Sequence, residues 1–237
     1  MLHDVTSDGG MGFCHEALPV LLPWSYHGPL VVALDSNALI DLQQHGNLLL
    51  NGEVPEVDEA YAEELTALAD VLNLWLLRDI RFVVTPTSLT DAKKVTERFL
   101  DKRLPAVAAI ADSLAFQFGD WDEPAPSYRR GLRAPGQETG MPDGADRDLV
   151  LEAQAIGAHV FLTRDRRVLE KTALSGPTLA VIPPRVLANE LALGGVQPFF
   201  GGICGAKHCP YDGWSMPAPD MGKWGGLLSI FESAGQD

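Results

Sequence analysis

Not one lysine or arginine occurs in the first 77 residues of this 237-residue chain, a stretch that holds twelve aspartates or glutamates. Any surface built from that segment repels a polyanion, so a nucleic acid would have to approach from another face. Residues 78–171 hold fifteen charges of each sign and residues 172–237 hold three basic against five acidic, so the net charge is −14 and no global basic footprint exists. Cysteine is scarce as well. Three are too few for a disulfide framework, and the odd number suits a reducing compartment. No apolar run approaches the ~20 residues of a membrane-spanning helix. The patch Ala17-Leu18-Pro19-Val20-Leu21-Leu22 is broken by proline and lacks a preceding basic region, which argues against a secretory signal. The expectation is a soluble, cytoplasmic protein with no membrane partner.

What the chain does have is 46% hydrophobic residues, enough for one α/β domain with a real core plus extensions. Leu30-Val31-Val32-Ala33-Leu34 is apolar throughout, as a strand buried on both faces must be, and a helical pattern follows from Ala38. Val57, Tyr61, Leu65, Leu68, Leu72 and Trp75 recur at spacings of three and four and predict a helix from about Glu56 to Leu77. A second strand follows at Arg81–Val84, then a helix starting near Ser88 and another opening at Leu104-Pro105. Residues 117–145 are rich in Pro, Gly, Asp and Arg and read as an irregular loop. Regular structure resumes with a helix at Asp146–Ile156, a strand at His159–Thr163, a helix at Arg166–Thr172, a strand at Thr178–Ile182 and a helix at Pro184–Leu193. Alternating strands and helices argue a single three-layer α/β domain around a mainly parallel sheet over residues 30–193. Residues 1–29 form an N-terminal arm, and the Gly/Pro-rich residues 194–237 a C-terminal appendage.

Four aspartates stand out. Asp35 ends the first strand, Asp165 follows the third strand by two residues, Asp91 lies just past the second strand, and Asp146 opens the helix before the third. Open parallel sheets bind their ligands outside the carboxyl ends of the strands, so these acids are aimed at one crevice. Asp146 shares a helical face with Leu149, Val150 and Ala153, whereas Asp148 points about 200° away, towards water. Each acid alone could be a helix cap, and Ser88-Leu89-Thr90-Asp91 has the pattern of a capping box. Four such charges on one sheet edge would repel unless a cation held them, and hard carboxylate oxygens suit Mg²⁺ or Mn²⁺.

The segment Asp146-Arg-Asp-Leu-Val-Leu-Glu-Ala-Gln-Ala-Ile-Gly157-Ala-His-Val-Phe-Leu-Thr163-Arg-Asp165-Arg-Arg-Val-Leu169, with the strand-Asp35-Ser36-Asn37 start and an acid after strand two, resembles a PIN-domain nuclease. The resemblance covers about residues 30–193. It implies a PIN-like fold and a metal-dependent ribonuclease, with Asp35, Asp91, Asp146 and Asp165 as the catalytic, metal-binding acids and Asn37 and Thr163 as polar supports. The family often has Glu where this chain has Asp91. Many members act as toxins held by an antitoxin, so an antitoxin or a second copy of the chain joins RNA among the implied partners. A metal so placed would activate water for attack on a phosphodiester.

Electrostatics assign RNA contact to Arg129, Arg130, Arg133, Arg164, Arg166 and Arg167, with Trp121 and Tyr128 available for base stacking, and favour a single strand. A different class of reading is a catalytically silent PIN-like domain that binds RNA or protein. A third, a haloacid-dehalogenase-type phosphohydrolase, also needs Asp after strand one, yet its acid/base Asp two residues on is Asn37 here. Cys14, Cys204, His208 and Cys209 offer a Cys₃His set for Zn²⁺ that would pin the tail to the arm. His159 reads as a half-buried spacer at the start of its strand.

Overall fold

A computed structural model of the chain describes residues 11–92, 106–111, 114, 144–172, 179–196, 209, 219 and 221–234. Its strands are β1 (Phe13–Cys14), β2 (His27–Gly28), β3 (Leu30–Leu34), β4 (Ile80–Val84), β5 (Val160–Leu162) and β6 (Ala180–Ile182). Its helices are α1 (Ser36–Leu50), α2 (Glu59–Trp75), α3 (Pro86–Ala92), α4 (Ala145–Ala155), α5 (Arg166–Thr172), α6 (Pro184–Leu193) and α7 (Met221–Ala234), and residues 106–111 are helical too. No described helix is long and apolar enough to cross a membrane.

The main sheet is parallel, in the order β4-β3-β5-β6. All five residues of β3 are buried, and side-chain alternation divides them between two cores. Leu30, Val32 and Leu34 join residues of α1, α2, α6 and α7 on one face, while Val31 and Ala33 meet Leu149, Val150, Ala153 and Val168 of α4 and α5 on the other. This is a three-layer arrangement, with burial on both faces explaining why β3 is apolar throughout. The crossover from β3 to β4 steps one way and covers the first face. Those from β4 to β5 and from β5 to β6 step the other way and bring α4 and α5 onto the second, as a constant crossover hand requires, while Ala92, Val107 and Ile110 of the β4-to-β5 connection join the first core. The chain therefore leaves β3 and β5, which are neighbours, towards opposite faces. A topological switch point opens between their carboxyl ends.

Several local starts differ from the sequence expectation. Helix α3 begins at Pro86 rather than near Ser88, because Thr85 is its cap: the Thr85 hydroxyl accepts the Ser88 N–H at 3.2 Å and proline occupies the first helical position. Asp91 consequently sits in the second turn of α3, not the first, and is not a cap. Helix α2 starts at Glu59, where the Asp58 carboxylate accepts the Tyr61 N–H at 3.0 Å. The N-terminal arm is not peripheral, since Phe13, Leu18, Leu21 and Leu22 are core residues and β1 and β2 form an antiparallel pair.

The C-terminal segment also enters the core. Leu227 and Phe231 of α7 are buried in the first core cluster, and Phe231 lies over Gly46 of α1 so closely that a Cβ there would meet its ring at 2.5 Å. Gly46→Ala should therefore destabilise by about 1–3 kcal/mol, a fall of several degrees in Tm. Gly225→Ala, where nothing lies within 4 Å of an added Cβ, should leave Tm unchanged or raise it. Thermal denaturation of the two variants checks this; equal melting points would mean that α7 does not dock on α1.

Candidate functional site

Register places the site. Leu34 of β3 pairs with Leu162 of β5, so the next residues, Asp35 and Thr163, stand side by side at the switch point. The Asp35 N–H donates to the Leu162 carbonyl at 3.0 Å, which extends the ladder by one residue and fixes the pair. Asp35 is only 4% exposed. Its Oδ1 accepts the Ser36 N–H at 2.6 Å and the Ser36 hydroxyl at 3.2 Å; its Oδ2 accepts Thr163 Oγ1 and Asn37 Nδ2, both at 2.5 Å. Asp35 is the N-cap residue of α1, its Oδ1 taking the Ser36 N–H, and its Oδ2 at the same time reaches across the sheet to a residue 128 positions away, which capping alone does not require. Burial raises its pKa above the ordinary carboxylate range, the hydrogen bonds from Thr163 and Ser36 oppose that rise, and the nearby Asp165 charge adds to it.

Thr163 organises the turn after β5. Its hydroxyl donates to Asp35 and accepts the Asp165 N–H at 3.0 Å and Asn37 Nδ2 at 3.2 Å. Asp165 is partly exposed and does act as a cap, its Oδ1 accepting the Arg167 N–H at 2.8 Å at the start of α5. The two polar supports expected from sequence thus bond directly to Asp35, and Asp165 is its like-charged neighbour.

Asp91 and Asp146 lie on the flanking helices. Ser88 of α3 donates to the Leu34 carbonyl at 2.6 Å, and Asp91, three residues on, shares that helical face and is half-buried. Helix α4 packs against α3, where Glu152 accepts both the Thr87 hydroxyl at 2.6 Å and its N–H at 3.2 Å. Leu149, Val150 and Ala153 are buried and Asp148 is exposed, as the helical register predicts, with Asp146 half-buried between. Among the described residues no three His, Cys, Asp or Glu side chains gather as a metal site. Asp165 is near enough to Asp35 for its charge to raise the Asp35 pKa. A pair is a sufficient donor set for Mg²⁺, which commonly takes one or two carboxylates and completes its shell with water or phosphate.

Arg164 differs from the expectation that it faces RNA. Its Nε and Nη2 each donate to the buried Asp41 at 2.6 Å, and its guanidinium lies 4.4 Å from the Tyr61 ring centroid. A fork held by a buried carboxylate is engaged already. Arg166 and Arg167 are exposed, the latter 3.7 Å from Asp165. Arg129, Arg130 and Arg133 lie outside the described residues, as do Trp121, Tyr128, Cys204 and His208. Cys14 and Cys209, the other half of the zinc expectation, are both buried in one small cluster with Met11. His159 is buried rather than half-buried. Its Nδ1 accepts the Val31 N–H at 3.1 Å, so the imidazole replaces a backbone partner inside the sheet.

Sequence reasoning passed over Asp41 and Tyr61. A signal was present: Asp41 falls on the α1 face that carries the buried Ala38 and Leu42, where an acid needs a partner. No family model, no curated protein and no solved structure matches the chain. Fold and site define a parallel α/β protein with paired carboxylates at its switch point.

Proposed function

We propose that the protein is an Mg²⁺- or Mn²⁺-dependent endoribonuclease of the PIN type that hydrolyses phosphodiester bonds of single-stranded RNA. The observation that carries this reading is Asp35, a buried carboxylate held across β3 and β5 by Thr163 and Asn37 with a second carboxylate beside it. Keeping a buried carboxylate beside a second, partly exposed one is unfavourable unless a cation offsets them. When bound, such a metal supplies an ionised water and a Lewis acid at the scissile phosphate. Asp35 and Asp165 bind it and Asn37 and Thr163 orient the Asp35 oxygens, while Asp91 and Asp146, on α3 and α4, do not gather with them into a three-acid site and would act only through water or substrate. Arg166 and Arg167 are exposed on the first turn of α5 beside the carboxylates, where they meet the RNA backbone. The acidic, cation-free segment 1–77 repels RNA elsewhere, so approach is directional.

Metal should raise Tm by binding only the folded state. At a hundredfold excess over Kd the gain is about 2.7 kcal/mol, which corresponds to roughly 5–10 °C for a chain of this size. The same Mn²⁺ should switch on cleavage of end-labelled single-stranded RNA, and EDTA should stop it. A metal-dependent Tm shift without cleavage favours a silent RNA- or protein-binding domain; neither effect would mean that the acids serve as caps and sheet-edge bonds only.

A further inference from the structure

We propose that Asp41, Arg164 and Tyr61 form a clamp that sets the spacing of the Asp35–Asp165 pair; the proposal rests on the metal-binding reading of that pair. Arg164 is the residue between Thr163 and Asp165, and the tripeptide is tied to the start of α1 at three successive points. Thr163 Oγ1 donates to Asp35, the Arg164 N–H donates to Asn37 Oδ1 at 3.3 Å, and the Arg164 guanidinium grips Asp41 with two bonds of 2.6 Å. The third point is the strongest. Asp41 is 1% exposed, the fork is bidentate, Tyr61 donates its hydroxyl to Asp41 Oδ1 at 2.7 Å, and its ring stacks under the guanidinium. Residues of α1 and α2 thereby hold a turn more than 100 positions away in sequence.

The position of the clamp gives it a task. Asp35 and Asp165 carry like charge and drift apart if the turn between β5 and α5 is free. A fixed Arg164 leaves Thr163 and Asp165 only one orientation relative to Asp35. Asp41 and Arg164 cancel in net charge, so the pair adds no net charge beside the site and acts chiefly through geometry. Side chains that hold metal ligands in place typically change affinity or activity 10–100-fold when removed.

The test is titration of the full chain with MnCl₂ by calorimetry, comparing wild type, Arg164→Lys and the double variant Asp41→Leu/Arg164→Leu. The double variant replaces a largely buried ion pair by apolar groups and leaves net charge unchanged, so Tm should fall by no more than the loss of the Tyr61–Asp41 hydrogen bond accounts for, about 1 kcal/mol or 2–4 °C. Its Kd for Mn²⁺ should rise about 10–100-fold. Arg164→Lys keeps the charge and loses the fork, and its Kd should rise several-fold. An unchanged Kd in the double variant overturns the clamp while the metal reading stands. Should the double variant not fold, Arg164→Lys decides: a raised Kd supports the clamp and an unchanged one overturns it. No Mn²⁺ binding by the wild type overturns the metal reading and the clamp together.

Discussion

Replacing Asp35 by Asn should abolish RNA cleavage and leave the fold intact. The expected loss is about 10³-fold or more, because a metal at a reacting phosphate supplies several kcal/mol of transition-state stabilisation. The stability side follows from burial. The carboxyl pKa of Asp35 is raised in the folded state, chiefly by desolvation, so its ionised form at neutral pH costs folding free energy. Asn removes that cost but turns one acceptor oxygen into a donor facing Thr163 and Asn37. These effects oppose each other, and Tm should remain within about 3 °C of the wild type. Retained cleavage with a normal melting curve would remove Asp35 from the site. A collapse in Tm would make it a structural residue of the sheet edge.

Stability should fall by about 3 kcal/mol as pH drops from 6.5 to 4, with His159 as the source. Burial pushes its imidazole pKa down to about 4 from the ordinary 6.5, because desolvation penalises the charged form. Its Nδ1 is moreover occupied as an acceptor of the Val31 N–H. Between those two pH values the unfolded chain binds a proton that the native protein excludes, so stability is complete above pH 6.5 and is lost as pH falls through the folded pKa. A gap of some 2.5 units at 1.36 kcal/mol each gives the magnitude. Asp35 works in the opposite direction, because acid neutralises a group whose folded pKa is raised. His159→Gln keeps an acceptor for Val31 and no longer titrates. The wild-type-minus-variant difference in urea-derived stability should therefore narrow across pH 6.5 to 4; a flat difference would show that His159 does not couple folding to pH.

The parts legible in sequence are those where one physical cause acts alone. Leu30–Leu34 reads as a strand because burial on both faces demands uniform apolarity, and Arg166–Thr172 and Pro184–Leu193 match the observed helices residue for residue. The positions of Asp35 and Asp165 after their strands follow from the same pattern. Cross-chain pairing was not legible. The charges of Asp41 and Arg164 are visible, yet nothing local says that they meet across 123 residues, so Arg164 reads as a free cation. The docking of α7 was hidden for a related reason: Met221–Ala234 contains three glycines and only its tertiary fit onto Gly46 makes it core. His159 looked like a spacer because its role is to satisfy a backbone N–H on a neighbouring strand.

The central claim is that the crevice between β3 and β5 holds a divalent metal. Anomalous scattering from a crystal soaked in Mn²⁺ tests it directly. The account predicts a peak touching Asp35 and Asp165, with Asp91 or Asp146 reaching it through water. A peak confined to other acidic surfaces, or none at millimolar Mn²⁺, would contradict it.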